Sequence, residues 1–183
     1  MPFYVYAQDR PGAGSELLDL AEAHWAYMDR FADRLILRGP TLSDDGEEHT
    51  GSVHVIDLDE RADAERFATE EPYWRAGLYR RFTAVRTSVL LDRGPAEGPL
   101  ALVTGEWPPG PRAADMAAGD GTDGRVGYLG VLVDDEGART TGIVAVVRAA
   151  PDEALRVVRP LADGMAAGPA ALTARRWHRG GRR

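Results

Sequence analysis

Histidine is the side chain that most readily gives and takes a proton near neutral pH. The chain has four: His24, His49, His54 and His178. His24 stands in a stretch where Leu17, Leu20, Tyr27, Met28 and Phe31 recur at helical spacing around it. That spacing turns its imidazole toward the core side of an amphipathic helix. There it is either a hydrogen-bonded residue at the edge of the core or a general acid/base. The second role requires a carboxylate to fix its tautomer and orientation. Glu71, in Glu70-Glu71-Pro72-Tyr73, is the best candidate. Pro72 ends a helix there and would hold the carboxylate at that helix's C-terminal edge. Asp29 is weaker, because five positions along a helix project from a different face. The expected catalytic residues are therefore His24 and Glu71.

The other histidines carry less. His49 lies in the turn Asp44–Thr50 and reads as solvated. His54 alternates with Val53 and Val55 on a strand, so it is expected on the opposite face, meeting another sheet at a dimer or inter-repeat interface. His178 sits in Arg175-Arg176-Trp177-His178-Arg179, which reads as a basic C-terminal tail. No HxH, HxxxH or HExxH pair exists, so no metal site is expected. There is no cysteine for thiolate chemistry and no lysine for a Schiff base. No GxGxxG follows a strand, and neither GxxxxGK[ST] nor GxSxG occurs, so no cofactor is expected. Tyr6, Tyr27, Tyr73 and Trp74 are expected to line a pocket for a flat organic substrate. Arg38, just before Gly39-Pro40, is placed to hold a substrate oxyanion.

These residues need elements to position them. Phe3–Gln8 is rich in aromatic and β-branched residues and predicts a strand. Pro11, Gly12 and Gly14 mark a loop, and Ser15 can cap a helix running to about Asp33. Leu35-Ile36-Leu37 predicts a short strand ended by Gly39-Pro40. Ser52–Leu58 predicts a strand, Glu60–Glu70 a helix with Ala64 and Phe67 inward, and Phe82–Leu91 a strand. The order β-α-β-β-α-β fits an α+β, ferredoxin-like domain with two helices on one face of an antiparallel sheet.

The second half repeats the first imperfectly. Thr50-Gly51-Ser52-Val53-His54-Val55 lines up with Thr141-Gly142-Ile143-Val144-Ala145-Val146, and Ala76-Gly77 with Ala167-Gly168 at the same spacing. Asp44-Asp45 has a counterpart in Asp134-Asp135, one residue out of step. Leu100–Thr104 predicts a first strand and Pro151–Ala162 a second helix. The Gly- and Pro-rich stretch Gly105–Gly127 stands where the first helix would be and reads as a loop or a shortened helix. The expected organisation is a domain over 1–93, a linker over 94–99, and a degenerate copy over 100–183.

The 183 residues carry 22 basic and 29 acidic side chains, a net charge of −7. The acids concentrate in residues 1–93, which hold 18 of them against 11 arginines. That balance argues against nucleic acid as a partner, since phosphate binding needs a basic face. No run of about eighteen apolar residues predicts a membrane span. The N-terminus lacks the basic segment of a signal peptide, and a cytoplasmic protein is expected.

Taken in order, the motifs resemble the YCII-like (YciI) domain over residues 3–91. They are Tyr4-Val5-Tyr6-Ala7-Gln8-Asp9, Ala23-His24-Trp25-Ala26-Tyr27-Met28, Gly39-Pro40, Thr50-Gly51, Glu71-Pro72-Tyr73 and Ala76-Gly77-Leu78-Tyr79. The resemblance implies a ferredoxin-like fold of the dimeric α/β-barrel type, pairing sheet to sheet. The partner is then a second subunit, giving a homodimer, or the second copy of the same chain, giving an intramolecular pseudo-dimer. It also implies a His–Asp site, carried here by His24 and, with one added methylene, Glu71. The implied activity is a lyase or isomerase acting without a cofactor on a small cyclic or aromatic metabolite, compatible with secondary metabolism. Two alternatives stand beside it: a non-catalytic protein that binds a small molecule or a partner enzyme, and a cofactor-free monooxygenase.

Overall fold

The computed structural model describes residues 1–94, 97–111, 123–166 and 168–181. It divides into two compact units, Met1–Ala84 with Arg179–Arg183, and Val85–His178. The division falls inside a strand rather than at the Gly-Pro segment 94–99. That strand, β4 (Tyr79–Asp92), is fourteen residues long, and its second half pairs with a strand of the second unit. Pro95 and Ala96 of the expected linker lie outside the described residues.

In the first unit, β1 (Phe3–Asp9) pairs antiparallel with β3 (His49–Ile56), and β3 pairs antiparallel with β2 (Leu35–Leu42). With the first half of β4 beside β1, the strand order is β4-β1-β3-β2, as a ferredoxin-like domain requires. Arg38 faces His54 and Pro40 faces Ser52 in the β2–β3 register. Gly39-Pro40 therefore does not end the strand: an extended chain accepts proline's fixed φ at the cost of one donor.

The expected single helix over 15–33 is two helices, α1 (Gly14–Asp19) and α2 (Ala21–Asp29). They are broken at Leu20, whose backbone leaves the helical region. Ala13 rather than Ser15 takes the N-cap position, without a side-chain cap. α3 (Arg61–Thr69) follows the expected boundaries, and α4 (Pro72–Arg75) adds one further turn. Ala64 and Phe67 of α3 are buried with Phe3, Val5, Ile56, Tyr27 and Met28. A second cluster joins Ala7, Leu17, Tyr73, Leu78 and Tyr79. By alternation, one sheet face thus carries Phe3, Val5, Ala7, Ser52, His54 and Ile56 beneath the helices. Tyr4, Tyr6, Val53 and Val55 occupy the other face.

In the second unit, β5 (Leu100–Pro111) pairs with β7 (Arg139–Val147) and β8 (Ala171–Trp177), and β6 (Val126–Val133) pairs with β7. The order β8-β5-β7-β6 matches that of the first unit, strand for strand in chain order. α5 (Pro151–Met165) buries Ala154, Val158, Ala162 and Met165 in the core. Residues 105–111, expected as loop, continue β5. Residues 112–122, where the first helix of a copy would fall, lie outside the described residues, as does Ala167 of the expected repeat. Arg175-Arg176-Trp177 is not a tail: Arg175 faces Leu102, Arg176 faces Ala101 and Trp177 faces Leu100 on β5. Alternation inward by Trp177, which is buried, explains why a basic run can be a strand.

One glycine position recurs between the units. Gly51 faces Gln8, and a Cβ on it would lie 2.5 Å from the Ala7 carbonyl oxygen. Gly142 faces Glu106, and a Cβ there would lie 2.3 Å from the Gly105 carbonyl oxygen. In both units the backbone approaches closely at the same rung, and only glycine leaves room for it.

Candidate active site

His24 comes from the middle of α2, on the side facing the sheet, and Glu71 from the residue before α4. His24 Nδ1 and Glu71 Oε1 are 2.6 Å apart, a hydrogen bond between an imidazole 12% exposed and a carboxylate 3% exposed. Glu71 stands just past Glu70, the C-cap of α3, at the C-terminal edge its sequence context suggested. It is also the N-cap of α4, its Oε2 accepting a hydrogen bond from the Trp74 backbone N–H at 3.1 Å. Pro72 allows both, because proline suits the first position of a helix as well as the end of one. The short helix thereby fixes the carboxylate, and the carboxylate fixes the imidazole.

The ring is held from a second side. Tyr73 stacks on His24 with centroids 4.4 Å apart and planes 5° from parallel. The Tyr73 hydroxyl donates to the Leu17 carbonyl at 3.0 Å, which ties the stack to α1. Tyr79 meets the Tyr73 ring edge-on and donates to Ser52 Oγ at 2.7 Å. Burial first, and the Glu71 charge second, push both of these phenols upward from their ordinary value, so they stay neutral donors. With Nδ1 taken by Glu71, Nε2 is the His24 nitrogen left to exchange a proton.

His54 does not meet another sheet. It lies on the helix side, 6.2 Å from His24 between ring centroids and edge-on to Phe67 at 5.3 Å. Both faces of β3 are buried, so alternation alone could not say which face held the core and which the helices. Burial, then the nearby His24 and Arg38, press its pKa down to about 3, and it is neutral at physiological pH.

The expected substrate residues divide. Tyr73 packs on His24 as described. Tyr27 spends its hydroxyl on the Phe67 carbonyl at 3.0 Å, and burial raises its pKa to about 12. The Trp74 ring packs edge-on against Phe82. Arg38 is on the helix side opposite His54, 3.7 Å from Asp29. Tyr6 is on the other face of the sheet from His24, since it pairs with Val53 while its neighbour Val5 pairs with His54. A groove of about 650 Å³ runs beside the pair. It is lined by Leu20, Ala23, Tyr27, Glu70, Pro72 and Arg75 among others, the neighbours of His24 and Glu71 rather than the two themselves. Sequence reading missed the Tyr79–Ser52 bond and a second pair, His49 with Asp9, whose Nδ1 and Oδ2 are 2.6 Å apart. No local signal ties Asp9, at the end of β1, to His49 forty residues on. Among the described residues, no group of three or more histidines and carboxylates is arranged to hold a metal. No helix among them is long and apolar enough to cross a membrane.

No curated protein sequence matches the chain. A 5-chloro-2-hydroxyhydroquinone dehydrochlorinase of Burkholderia phenoliruptrix, solved with 2,5-dihydroxybenzoquinone, is 29% identical. The match covers 47% of this chain and 92% of that one, with a TM-score of 0.44. Two structures provisionally assigned as monooxygenases are similar over 97% of this chain. One, from Lactobacillus acidophilus, is 13% identical and covered over 93% of its length, with a TM-score of 0.55. The other, from Fusobacterium nucleatum, is 10% identical and covered over 91%, with a TM-score of 0.53. These two likenesses are of fold: a mixed α+β, sheet-rich chain. The family profile of the YCII-related domain matches residues 1–87, the segment that carries β1 to β3, the first part of β4 and the His24–Glu71 hydrogen bond. Residues 1–87 are a YCII-related domain.

Proposed function

We propose that the first unit is a proton-transferring enzyme, a lyase or isomerase acting on a small cyclic or aromatic metabolite. The observation that carries this reading is the 2.6 Å contact between His24 Nδ1 and a buried carboxylate that is itself capped in place. A base whose second nitrogen is held by an oriented carboxylate is the arrangement proton transfer needs. His24 Nε2 takes a proton from an acidic carbon of the substrate. Glu71 stabilises the imidazolium that forms. In an elimination the leaving group then departs with the electron pair; in an isomerisation the imidazolium returns the proton to another atom. Arg38 holds the oxyanion that develops.

The second unit is, in this reading, a degenerate copy that supplies no site. Its strand order repeats that of the first, and so does the crowded glycine rung at Gly51 and Gly142. Counted from that rung, Ser52, His54 and Arg38 correspond to Ile143, Ala145 and Leu129. All three replacements lie in an apolar core. A non-catalytic ligand-binding role is the second reading. It is favoured by the groove, which passes the pair without being lined by either His24 or Glu71.

The test is a panel of cyclic hydroxy and oxo compounds incubated in D₂O with the wild type and with His24→Gln. Deuterium uptake or elimination that disappears in a folded His24→Gln supports the enzyme. Binding of a panel compound with equal, buffer-level chemistry in both proteins supports the second reading instead.

A further inference from the structure

The mechanism above leaves one acid–base pair unused. Asp9 ends β1 on the helix side, with its side chain 7% exposed, and His49 opens β3 with its side chain 27% exposed. Their 2.6 Å contact uses His49 Nδ1 and Asp9 Oδ2. Asp9 Oδ1 is buried and has no hydrogen-bond partner among the described residues. The contrast with Glu71 is informative, because Glu71 shares its charge between His24 and the Trp74 N–H. Each donor that a carboxylate accepts stabilises its charge. Asp9 has one such donor, His49, and its charge also reaches the buried Tyr73 and Tyr79 phenols. The nearby cations are otherwise engaged: Arg10 by the Gly77 carbonyl and Glu16, and Arg80 and Arg81 by Gln8. Burial of the carboxylate strengthens the interaction further.

The imidazole is meanwhile more open than that of His24. Its Nε2 makes no hydrogen bond among the described residues, and the ring lies at the rim where β3 begins. A histidine with one nitrogen fixed by a buried carboxylate and the other toward water has the geometry of a general base.

We propose that His49 and Asp9 form a second general-base centre, distinct from the His24–Glu71 pair, that activates water against small activated carbonyl compounds. In the step, Nε2 takes a proton from water as the water oxygen bonds to the carbonyl carbon. The tetrahedral intermediate then expels the leaving alcohol, breaking its C–O bond. The imidazolium returns the proton to that oxygen or, for a phenolate, to solvent. Asp9 accepts the Nδ1–H bond and orients the ring.

The probe is p-nitrophenyl acetate, followed by release of nitrophenolate. His49→Gln is expected to lower the protein-borne rate about tenfold, below the usual general-base contribution because other nucleophiles supply a background. Asp9→Asn keeps an oxygen to accept the Nδ1–H bond and removes the charge. It is expected to cost several-fold in rate while the far-ultraviolet circular dichroism stays that of the wild type. His178→Gln, which removes another imidazole, is the control and keeps the wild-type rate. Wild-type hydrolysis in either folded variant overturns the proposal, and so does a wild-type rate no greater than that of free imidazole at equal concentration. If His49→Gln does not fold, Asp9→Asn alone decides. Because the probe reports hydrolysis rather than carbon deprotonation, its outcome is independent of the role assigned to His24.

Discussion

His54 gives a stability prediction whose size can be worked from the structure. It is buried, and its pKa falls from 6.5 to about 3, with burial the largest cause. Between those two values the unfolded chain binds a proton at this residue that the folded chain refuses. Stability therefore rises with pH across that window and is lost as the pH falls below 6.5. Each pH unit inside the window is worth about 1.4 kcal/mol. Between pH 7 and pH 5 the loss comes to about 2 kcal/mol, because the first half-unit lies above the unfolded value. The perturbation is His54→Leu, which keeps the site apolar and cannot titrate. The assay is urea unfolding at pH 7, 6 and 5, a range in which most carboxylates stay ionised. Other histidines contribute equally to both proteins, so the quantity of interest is the wild-type stability minus that of the variant. We expect that difference to fall by about 2 kcal/mol between pH 7 and pH 5. A difference that stays constant with pH would refute the reasoning, since it would mean that His54 is protonated as easily in the folded chain as in the unfolded one.

Two further substitutions test the site and the repeated rung. Glu71→Ala removes the cap of α4, worth about 1 kcal/mol, and leaves the Nδ1–H of His24 without its acceptor, at a further cost of about 1–3 kcal/mol. Urea midpoints should register the sum, with Glu71→Gln much milder because its amide oxygen can still accept one of the two bonds. Gly51→Ala and Gly142→Ala each drive a methyl group into a carbonyl oxygen. Each should cost about 1–3 kcal/mol or more, measured the same way, and two mild effects would show that the strands spread easily there.

The first unit was legible because its signals were local. Apolar spacing on α2 and α3, the β-branched runs of β1 and β3, and the order of elements all follow from short-range patterning. The pairing of His24 with Glu71 is also legible in sequence, because Pro72 marks the end of α3, and the structure adds that it opens α4. The misreadings have a common physical cause. A strand buried on both faces gives no contrast between them, so His54 was assigned to the wrong side and Tyr6 was grouped with residues it backs away from. The His49–Asp9 contact joins residues forty positions apart, and neither residue announces the other. The glycines and prolines of 105–111 and the arginines of 175–176 read as loop and tail. Both segments are strands because partners elsewhere in the chain supply the ladder, and tertiary pairing overrides propensity.

The central claim is that Glu71 holds His24 with Nε2 ready to accept a proton. Nitrogen-15 NMR of the His24 ring, in the wild type and in Glu71→Gln, tests it most directly. We expect the neutral ring to carry its hydrogen on Nδ1 in the wild type, with an unprotonated Nε2, and the ring resonances to change when the carboxylate becomes an amide. A neutral ring with its hydrogen on Nε2, or resonances indifferent to Glu71→Gln, would contradict the claim and leave His24 as a structural residue of the helix–sheet interface.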